Sequence, residues 1–269
     1  MSLKRAARVI LVGAPGVGKG TQSERLLKRY TQLQSISSGD LLRQNVKNRT
    51  PLGIKVESTM KAGGLVSDDL ILRLISNEFF QRGWLKGQGP PQVMTFASAA
   101  GQETLDESPA KSVVDSVINS TLQSGATPQV SDNPSASFIL DGFPRTAAQA
   151  EMLDKIIPIN LVVSITTPFD VILERITGRW VHEPSGRVYN TSFNAPRVAG
   201  IDDVTGEPLT QRPDDSEEVY RARFAKFEET NRPLLDHYAN KGLLWEASGL
   251  SSDEITPKIF QHFEKMFGN

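Results

Sequence analysis

The chain has 269 residues, 38% of them apolar and 23% charged, with a formal net charge of −1. That balance supports a packed core and leaves no electrostatic footprint for nucleic acid or an anionic membrane surface. It contains no cysteine, which excludes disulfides, thiolate metal sites and a cysteine nucleophile, and no apolar run approaches the ~20 residues that a membrane-spanning helix needs.

Residues 1–8 carry Lys4, Arg5 and Arg8 and no acid. They read either as a plain basic extension or as a short, uncleaved targeting segment. The β-branched run Val9-Ile10-Leu11-Val12 predicts a buried strand. Gly13-Ala14-Pro15-Gly16-Val17-Gly18-Lys19-Gly20-Thr21 follows, and helix formers continue to Tyr30. Strand, glycine loop and helix, in that order, are the setting of a phosphate-binding loop. Glycines let backbone N–H groups turn inward around phosphate oxygens, and the helix N-terminus adds partial positive charge there. Lys19 supplies a point charge for the outer phosphates, and Thr21 a hydroxyl near a bound Mg²⁺. The strict pattern sets Ser or Thr directly after the lysine; here Gly20 intervenes. A dinucleotide fingerprint fits poorly, because its third glycine would fall at Thr21.

Residues 34–43 read as a strand end, a turn and a helix start, with Ser38 or Asp40 as N-cap and Arg43 one turn in. A helix over 51–60 closes at Gly63-Gly64, and another starts at Ser67-Asp68-Asp69. These pieces form a helical subdomain inserted after the second strand. Residues 86–137 differ from their surroundings. They hold Lys86 and Lys111 against five acids, no arginine, and helical periodicity only over 110–122. The segment reads as a surface insertion with one helix and flexible flanks, either a spacer or a partner-binding stretch.

Phe138-Ile139-Leu140-Asp141 predicts a further buried strand ending in an acid, which can hold the water shell of Mg²⁺. Thr146 to Gln149 fits a capping box. A strand over 161–166 leads to a helix over 169–177, with Pro168 at its first position and Gly178 just past its end. Residues 179–215, rich in Gly, Pro, Asp and Thr, read as a small β-rich flap. A long helix follows from Ser216, with Asp215 and Glu218 as a capping pair, then a strand over 243–247 and a helix over 253–267. Alternating strands and helices predict an α/β fold, a parallel sheet covered on both faces.

The pattern resembles the adenylate kinase family. The resemblance rests on Gly13 to Thr21, Ser37-Ser38-Gly39-Asp40-Leu41-Leu42-Arg43 and Asp141-Gly142-Phe143-Pro144-Arg145-Thr146. Farther on it rests on Gly186-Arg187-Val188-Tyr189, Asp202-Asp203-Val204-Thr205-Gly206-Glu207 and Arg212 with Asp214-Asp215. It implies a nucleoside monophosphate kinase with a three-layer P-loop core over 1–36, 67–85, 138–177 and 216–269. An AMP-binding arm over 37–66, the insertion 86–137 and a lid over 178–215 complete it.

By position, the resemblance implies that Ser38, Arg43, Gly64, Leu65, Val66, Gly142, Phe143, Pro144, Arg145 and Gln149 hold AMP, with Arg212 and Arg223. Lys19, Arg145, Arg179, Arg212 and Arg223 would surround the transferring phosphoryl group. Gly16, Val17, Gly18, Lys19, Gly20 and Thr21 would hold the triphosphate with Arg175, Arg179, Val188 and Tyr189, and Gly249 to Ser251 would line its base. Asp141 and Thr21 would hold Mg²⁺, the one cofactor, through water. Each arginine has a structural reading as well, as a surface charge or ion pair. Tyr189 reads equally as lid core, and Gln149 as a helix cap. Some lids of the family bind zinc through four cysteines; here His182, Ser185, Asp202 and Thr205 stand at those positions and are expected to hydrogen-bond instead.

Within the family, Arg179-Trp180-Val181-His182 and Gly200-Ile201-Asp202-Asp203 are most similar to a mitochondrial-matrix branch using GTP as donor, with ATP as the alternative donor and the cytoplasm as the alternative location. Its partners would be small nucleotides, GTP or ATP and AMP, without nucleic acid or membrane, acting on a monomer. A GTP-binding switch protein is the reading from another class. Pressing two anionic nucleotides together calls for fixed positive charge rather than a general base, since the attacking phosphate oxygen is already an anion.

Overall fold

The computed structural model describes residues 2–61, 66–86, 129–211 and 215–268. Five strands form one parallel sheet: β1 (Arg8–Val12), β2 (Leu33–Ser37), β5 (Ser137–Asp141), β6 (Leu161–Thr166) and β9 (Leu244–Ser248). Their spatial order is β2-β5-β1-β6-β9, and all the pairings are parallel. All five residues of β1 are buried, as expected for a central strand covered on both faces.

Alternation along the strands divides the core in two. Ile10, Val12, Phe138, Leu140 and Val162 face α2 (Ser38–Lys47), α4 (Asp68–Gln81) and α5 (Ala147–Asp154). Val9, Leu11, Ile139, Val163 and Ile165 face α1 (Lys19–Arg29), α6 (Phe169–Thr177) and α8 (Ser252–Phe267). The long α7 (Glu217–Asn240) serves both layers, placing Leu234 and Tyr238 on one side and Tyr220 on the other. The result is the expected three-layer α/β fold. Among the described residues, no helix is long and apolar enough to cross a membrane.

α3 (Pro51–Lys61) packs on α2. The flap is a hairpin of β7 (Arg179–His182) and β8 (Arg187–Asn190), tied to later residues by the bridge Val181↔Thr210, while a bridge Ile201↔Pro208 closes a turn within those residues.

Several local expectations shift. α2 is capped by Ser37, whose hydroxyl accepts Asp40 N–H, not by Ser38 or Asp40. The strand passes into the helix with no turn between, so its own last residue has the extended backbone a cap needs. α7 is likewise capped by Ser216 through Val219 N–H, because Asp215 is engaged elsewhere. Pro168 is the N-cap of α6 rather than its first residue. α5 is capped by Thr146 as expected, but the Gln149 side chain reaches back to Arg145 N–H, one residue past the N-cap, so the capping box is not closed.

Residues 87–128, including the predicted helix over 110–122, lie outside the described residues. The described residues on either side of it pair, with β3 (Leu85–Lys86) antiparallel to β4 (Gln129–Val130). Residues 131–137, expected as a flexible flank, instead dock on the core. Asp132 O accepts Ala6 N–H at 3.1 Å, the Asp132 carboxylate pairs with Arg8 at 3.0 Å, and Ser137 already belongs to β5.

Candidate functional site

The sheet places two loops side by side. From β1 the chain crosses through α1 toward β2; from β5 it crosses through α5 toward β6, the other way. Between the carboxyl ends of β1 and β5 the connections diverge and leave a crevice, the usual ligand position in such sheets. In the register Leu11 stands opposite Asp141, so the glycine loop and the 141–146 turn emerge at one level.

The glycine loop leads from β1 into α1, whose N-cap is Gly18. Gly16 has φ +80°, and a Cβ there would lie 2.5 Å from Ile176 Cδ1, so both backbone and packing require glycine. Lys19 Nζ folds back onto the loop, donating to Gly13 O at 2.8 Å and Ala14 O at 3.0 Å. Burial pushes its proton affinity down; Asp141 opposes that shift, and Arg145 and Arg223 add to it. Arg145 is lowered in the same way, by burial first, then by Arg223 and Arg43, against Asp141. Arg145 nevertheless touches water. Dense protein around a group that still meets solvent describes a cleft. Lys19 and Arg145 therefore share one electrostatic neighbourhood with the Asp141 carboxylate, with Arg223 close to both and Arg43 close to Arg145.

The turn after β5 is held from both sides. Ser38 Oγ donates to Gly142 O at 2.9 Å, and Arg145 Nε donates to the same oxygen at 2.8 Å. Phe143 and Pro144 are buried around a cis peptide bond. Arg43 pairs with Asp40 at 2.5 Å and is exposed on α2. Gln149 is buried beneath the turn, and Val66 lies in the core cluster. Gly64, Leu65 and Arg212 fall outside the described residues.

On the donor side, Arg175 Nη2 donates to Leu250 O, and its guanidinium lies 5.9 Å from the Phe193 ring. The loop 249–252 is drawn toward the glycine loop by Gln22, which donates to Ser252 O at 3.1 Å. Ser251 caps α8, its hydroxyl accepting Glu254 N–H. Gly20 and Thr21 are exposed at the start of α1, and Val17 is buried beneath the loop. Val188 is exposed on β8. Tyr189, read either beside the triphosphate or as lid core, has its hydroxyl engaged within the flap, where it donates to Asp202 Oδ1 and accepts Asp203 N–H, each at 2.9 Å. Arg179, expected at the phosphoryl group, is held by Asp215 through Nε and Nη2.

The flap is built on a polar cluster. His182 lies between Ser185 Oγ and Glu207 Oε2, 2.6 Å from each. Asp202 accepts Thr205 Oγ1–H at 2.9 Å and a two-pronged contact from Arg187 at 2.8 and 2.6 Å. The Arg187 guanidinium holds the Asp202 carboxyl well below the usual carboxylate range, against its burial and with help from Thr205 and Tyr189. The sequence reading names His182, Ser185, Asp202 and Thr205 but misses Arg187 and Glu207. The one signal for Arg187 is cross-strand: it pairs with His182 in the hairpin register. Among the described residues, no group of three or more His, Cys, Asp or Glu is arranged to hold a metal ion.

A divergent crevice in a parallel sheet, floored by a glycine loop and lined by converging lysine and arginine, defines a P-loop phosphate-binding protein. Comparison with known sequences narrows this. The adenylate kinase family model matches residues 11–121 and 94–243. A GTP:AMP phosphotransferase, mitochondrial, from Saccharomyces cerevisiae is 41% identical over 271 aligned positions, covering 99% of this chain and 96% of that protein. A second protein of that name, from S. cerevisiae strain ATCC 204508 / S288c, is 42% identical over 258 positions, covering 94% of each. The chain belongs to the adenylate kinase family.

Proposed function

We propose that the chain catalyses reversible phosphoryl transfer from Mg-GTP to AMP, giving GDP and ADP. The observation that carries this reading is that Lys19, folded onto the glycine loop, and Arg145, bonded to the turn after β5, face each other and Asp141 across the β1/β5 crevice, with Arg223 close to both and Arg43 close to Arg145. An AMP phosphate oxygen attacks the γ-phosphorus, the bond to the β–γ bridging oxygen breaks, and GDP leaves with that electron pair. Negative charge crowds as the two nucleotides meet, and fixed cations offset it without reorganising. Lys19, Arg145, Arg179, Arg212 and Arg223 take that role. Ser38, Arg43, Gly64, Leu65, Val66, Gly142 to Arg145 and Gln149 take the monophosphate. The glycine loop takes the triphosphate with Arg175, Val188 and Ser251, and the side chain of Tyr189 supports the flap.

The oxygen donors Asp141 and Thr21, half-buried and exposed beside the loop, suit a hard, hydrated cation. Mg²⁺ held there through water would offset charge on the triphosphate. The arm 37–66 and the lid 178–215 close over the core to exclude water that would hydrolyse the donor. The choice of GTP and a mitochondrial location are supported by what the relatives are called. A monomer suffices for this chemistry.

Initial rates with GTP, ATP, ITP and UTP against AMP, and with CMP and UMP as acceptors, test the reading. Fastest ADP formation with GTP is expected. Faster turnover with ATP overturns the donor assignment, and nucleotide binding without ADP formation favours a switch protein.

A further inference from the structure

Gln149 is 2% exposed, and its side-chain amide is bonded at both ends. Oε1 accepts the backbone N–H of Arg145 at 2.6 Å, and Nε2 donates to Asp68 Oδ1 at 2.5 Å. Asp68 is the first residue of α4 and Gln149 lies in the first turn of α5, so the second bond joins two helices far apart in the chain. A backbone N–H can only donate, and a carboxylate only accepts. Turning the amide over would set N–H against N–H and oxygen against carboxylate, losing both bonds at a buried place. The partners therefore settle which end is nitrogen and which oxygen.

A primary amide has two N–H groups and two oxygen lone pairs. Among the described residues one of each is used, so one donor and one acceptor remain. Purines ask for opposite orders of the two. The adenine Watson–Crick edge offers an amino donor beside a ring-nitrogen acceptor; guanine offers a carbonyl acceptor beside a ring N–H. An amide free to turn serves either purine, and a locked one serves a single purine.

We propose that Asp68 is a positioning residue: with the Arg145 backbone N–H it locks the Gln149 amide in one orientation, from the nitrogen end, and so makes the acceptor site read adenine over guanine. This rests on the assignment of Gln149 to the AMP site. Asp68 acts through Gln149 and needs no contact with the nucleotide.

The test is steady-state kinetics of the full chain with GTP as donor and AMP or GMP as acceptor. Wild type, Asp68→Ser and Asp68→Asn are compared, with Asp68→Ser repeated in a Gln149→Ala background. Serine keeps an oxygen at the start of α4 but falls short of Gln149; asparagine keeps both reach and an acceptor oxygen. Asp68→Ser is expected to raise KM for AMP about tenfold and lower the AMP-to-GMP ratio of kcat/KM about tenfold, with KM for GTP within about twofold and Asp68→Asn restoring the ratio to within about threefold. In the Gln149→Ala background, Asp68→Ser changes the ratio no further. A merely structural Asp68 would lower the thermal midpoint and slow both acceptors alike. An unaltered ratio in Asp68→Ser, or an equal change without Gln149, overturns the proposal. Should the serine variant not fold, Asp68→Glu, which moves the carboxylate by one methylene, gives the same comparison. A wild type that forms no ADP from AMP overturns the functional reading itself; normal ADP formation with an unaltered ratio overturns this inference alone.

Discussion

Arg179 grips Asp215 with two of its N–H groups, and the carboxylate is 2% exposed while the guanidinium is 18% exposed. The pair joins the first strand of the flap to the start of α7. A guanidinium has five N–H donors, so three remain for phosphate oxygens while two hold its direction. Removing one partner of such a pair leaves a buried charge alone. Asp215→Ala is expected to lower the unfolding free energy by about 3 kcal/mol, the lower end of the range for buried pairs because Arg179 retains some water. Urea unfolding measures this, and wild-type stability in the variant would mean the pair is only a surface contact.

Lys19 is a charge held where burial and two arginines disfavour it. Such a group works for the ligand and against the fold. Lys19→Met and Arg145→Ala are each expected to lose at least about 3 kcal/mol of transition-state stabilisation, more than a hundredfold in kcat/KM. For Lys19→Met the thermal midpoint should not fall. The sign agrees with linkage: a base whose folded pKa is depressed weakens the fold below that pKa, and stability returns as pH rises toward the unfolded value. Near-normal turnover with either variant would remove the role assigned to its side chain.

Much of this architecture is legible in the chain, for identifiable reasons. β1 and β5 are buried on both faces and carry unbroken apolar runs at 9–12 and 138–140, and β6 carries one interrupted only by Ser164. β2 reads only as a strand end, because Leu33–Ser37 alternates with polar residues and has no run. The β3–β4 pair has no local signal, since two-residue strands distant in the chain meet only through tertiary packing. The charged types at the crevice are readable from motif spacing. Their holders are not: Asp215 for Arg179, Asp68 for Gln149, and Arg187 and Glu207 in the flap all act across elements, where spacing carries no information.

Phe138 is fully buried and lies 5.0 Å from Phe79 and 5.1 Å from Trp84, ring centre to ring centre. It fixes α4 against the sheet, away from the crevice. Phe138→Ala is expected to cost about 3–5 kcal/mol of stability through lost burial and the cavity left behind. Both KM values should stay unaltered at temperatures where the variant is folded. Denaturant titration alongside kinetics separates the two effects.

In the flap, the depressed pKa of Asp202 makes a pH prediction. A carboxylate with a lowered folded pKa adds stability that is present above its unfolded pKa and lost as pH falls through the folded one. Hydrogen exchange over residues 179–211 should therefore stay protected through about pH 4, the ordinary carboxylate range. Arg187→Ala removes the largest cause of the shift, so Asp202 should protonate within that range. Exchange of the flap should then quicken between about pH 5 and pH 3. Identical pH profiles for wild type and Arg187→Ala would show that the flap is held by its backbone pairing alone.

Gly142 joins the two halves of the acceptor side. Its φ is +79°, and a Cβ there would lie 2.8 Å from Ser38 Oγ and 3.4 Å from Arg145 Nη2. Alanine therefore meets two costs: about 1–2 kcal/mol for the left-handed backbone, and the displacement of a hydroxyl that anchors the turn. Ser38 would leave Gly142 O, the oxygen it shares with Arg145 Nε, so the guanidinium would lose its aim as well. Gly142→Ala should raise KM for AMP about tenfold or more and lower kcat, since misplacement by ~1 Å costs up to a hundredfold. KM for the triphosphate should change little, because the glycine loop leaves the neighbouring strand, whereas the atoms a Cβ at Gly142 meets belong to Ser38 and Arg145. If KM for the triphosphate rose as much as that for AMP, the variant would be disordering the whole crevice, and the division of the site between β1 and β5 would be wrong.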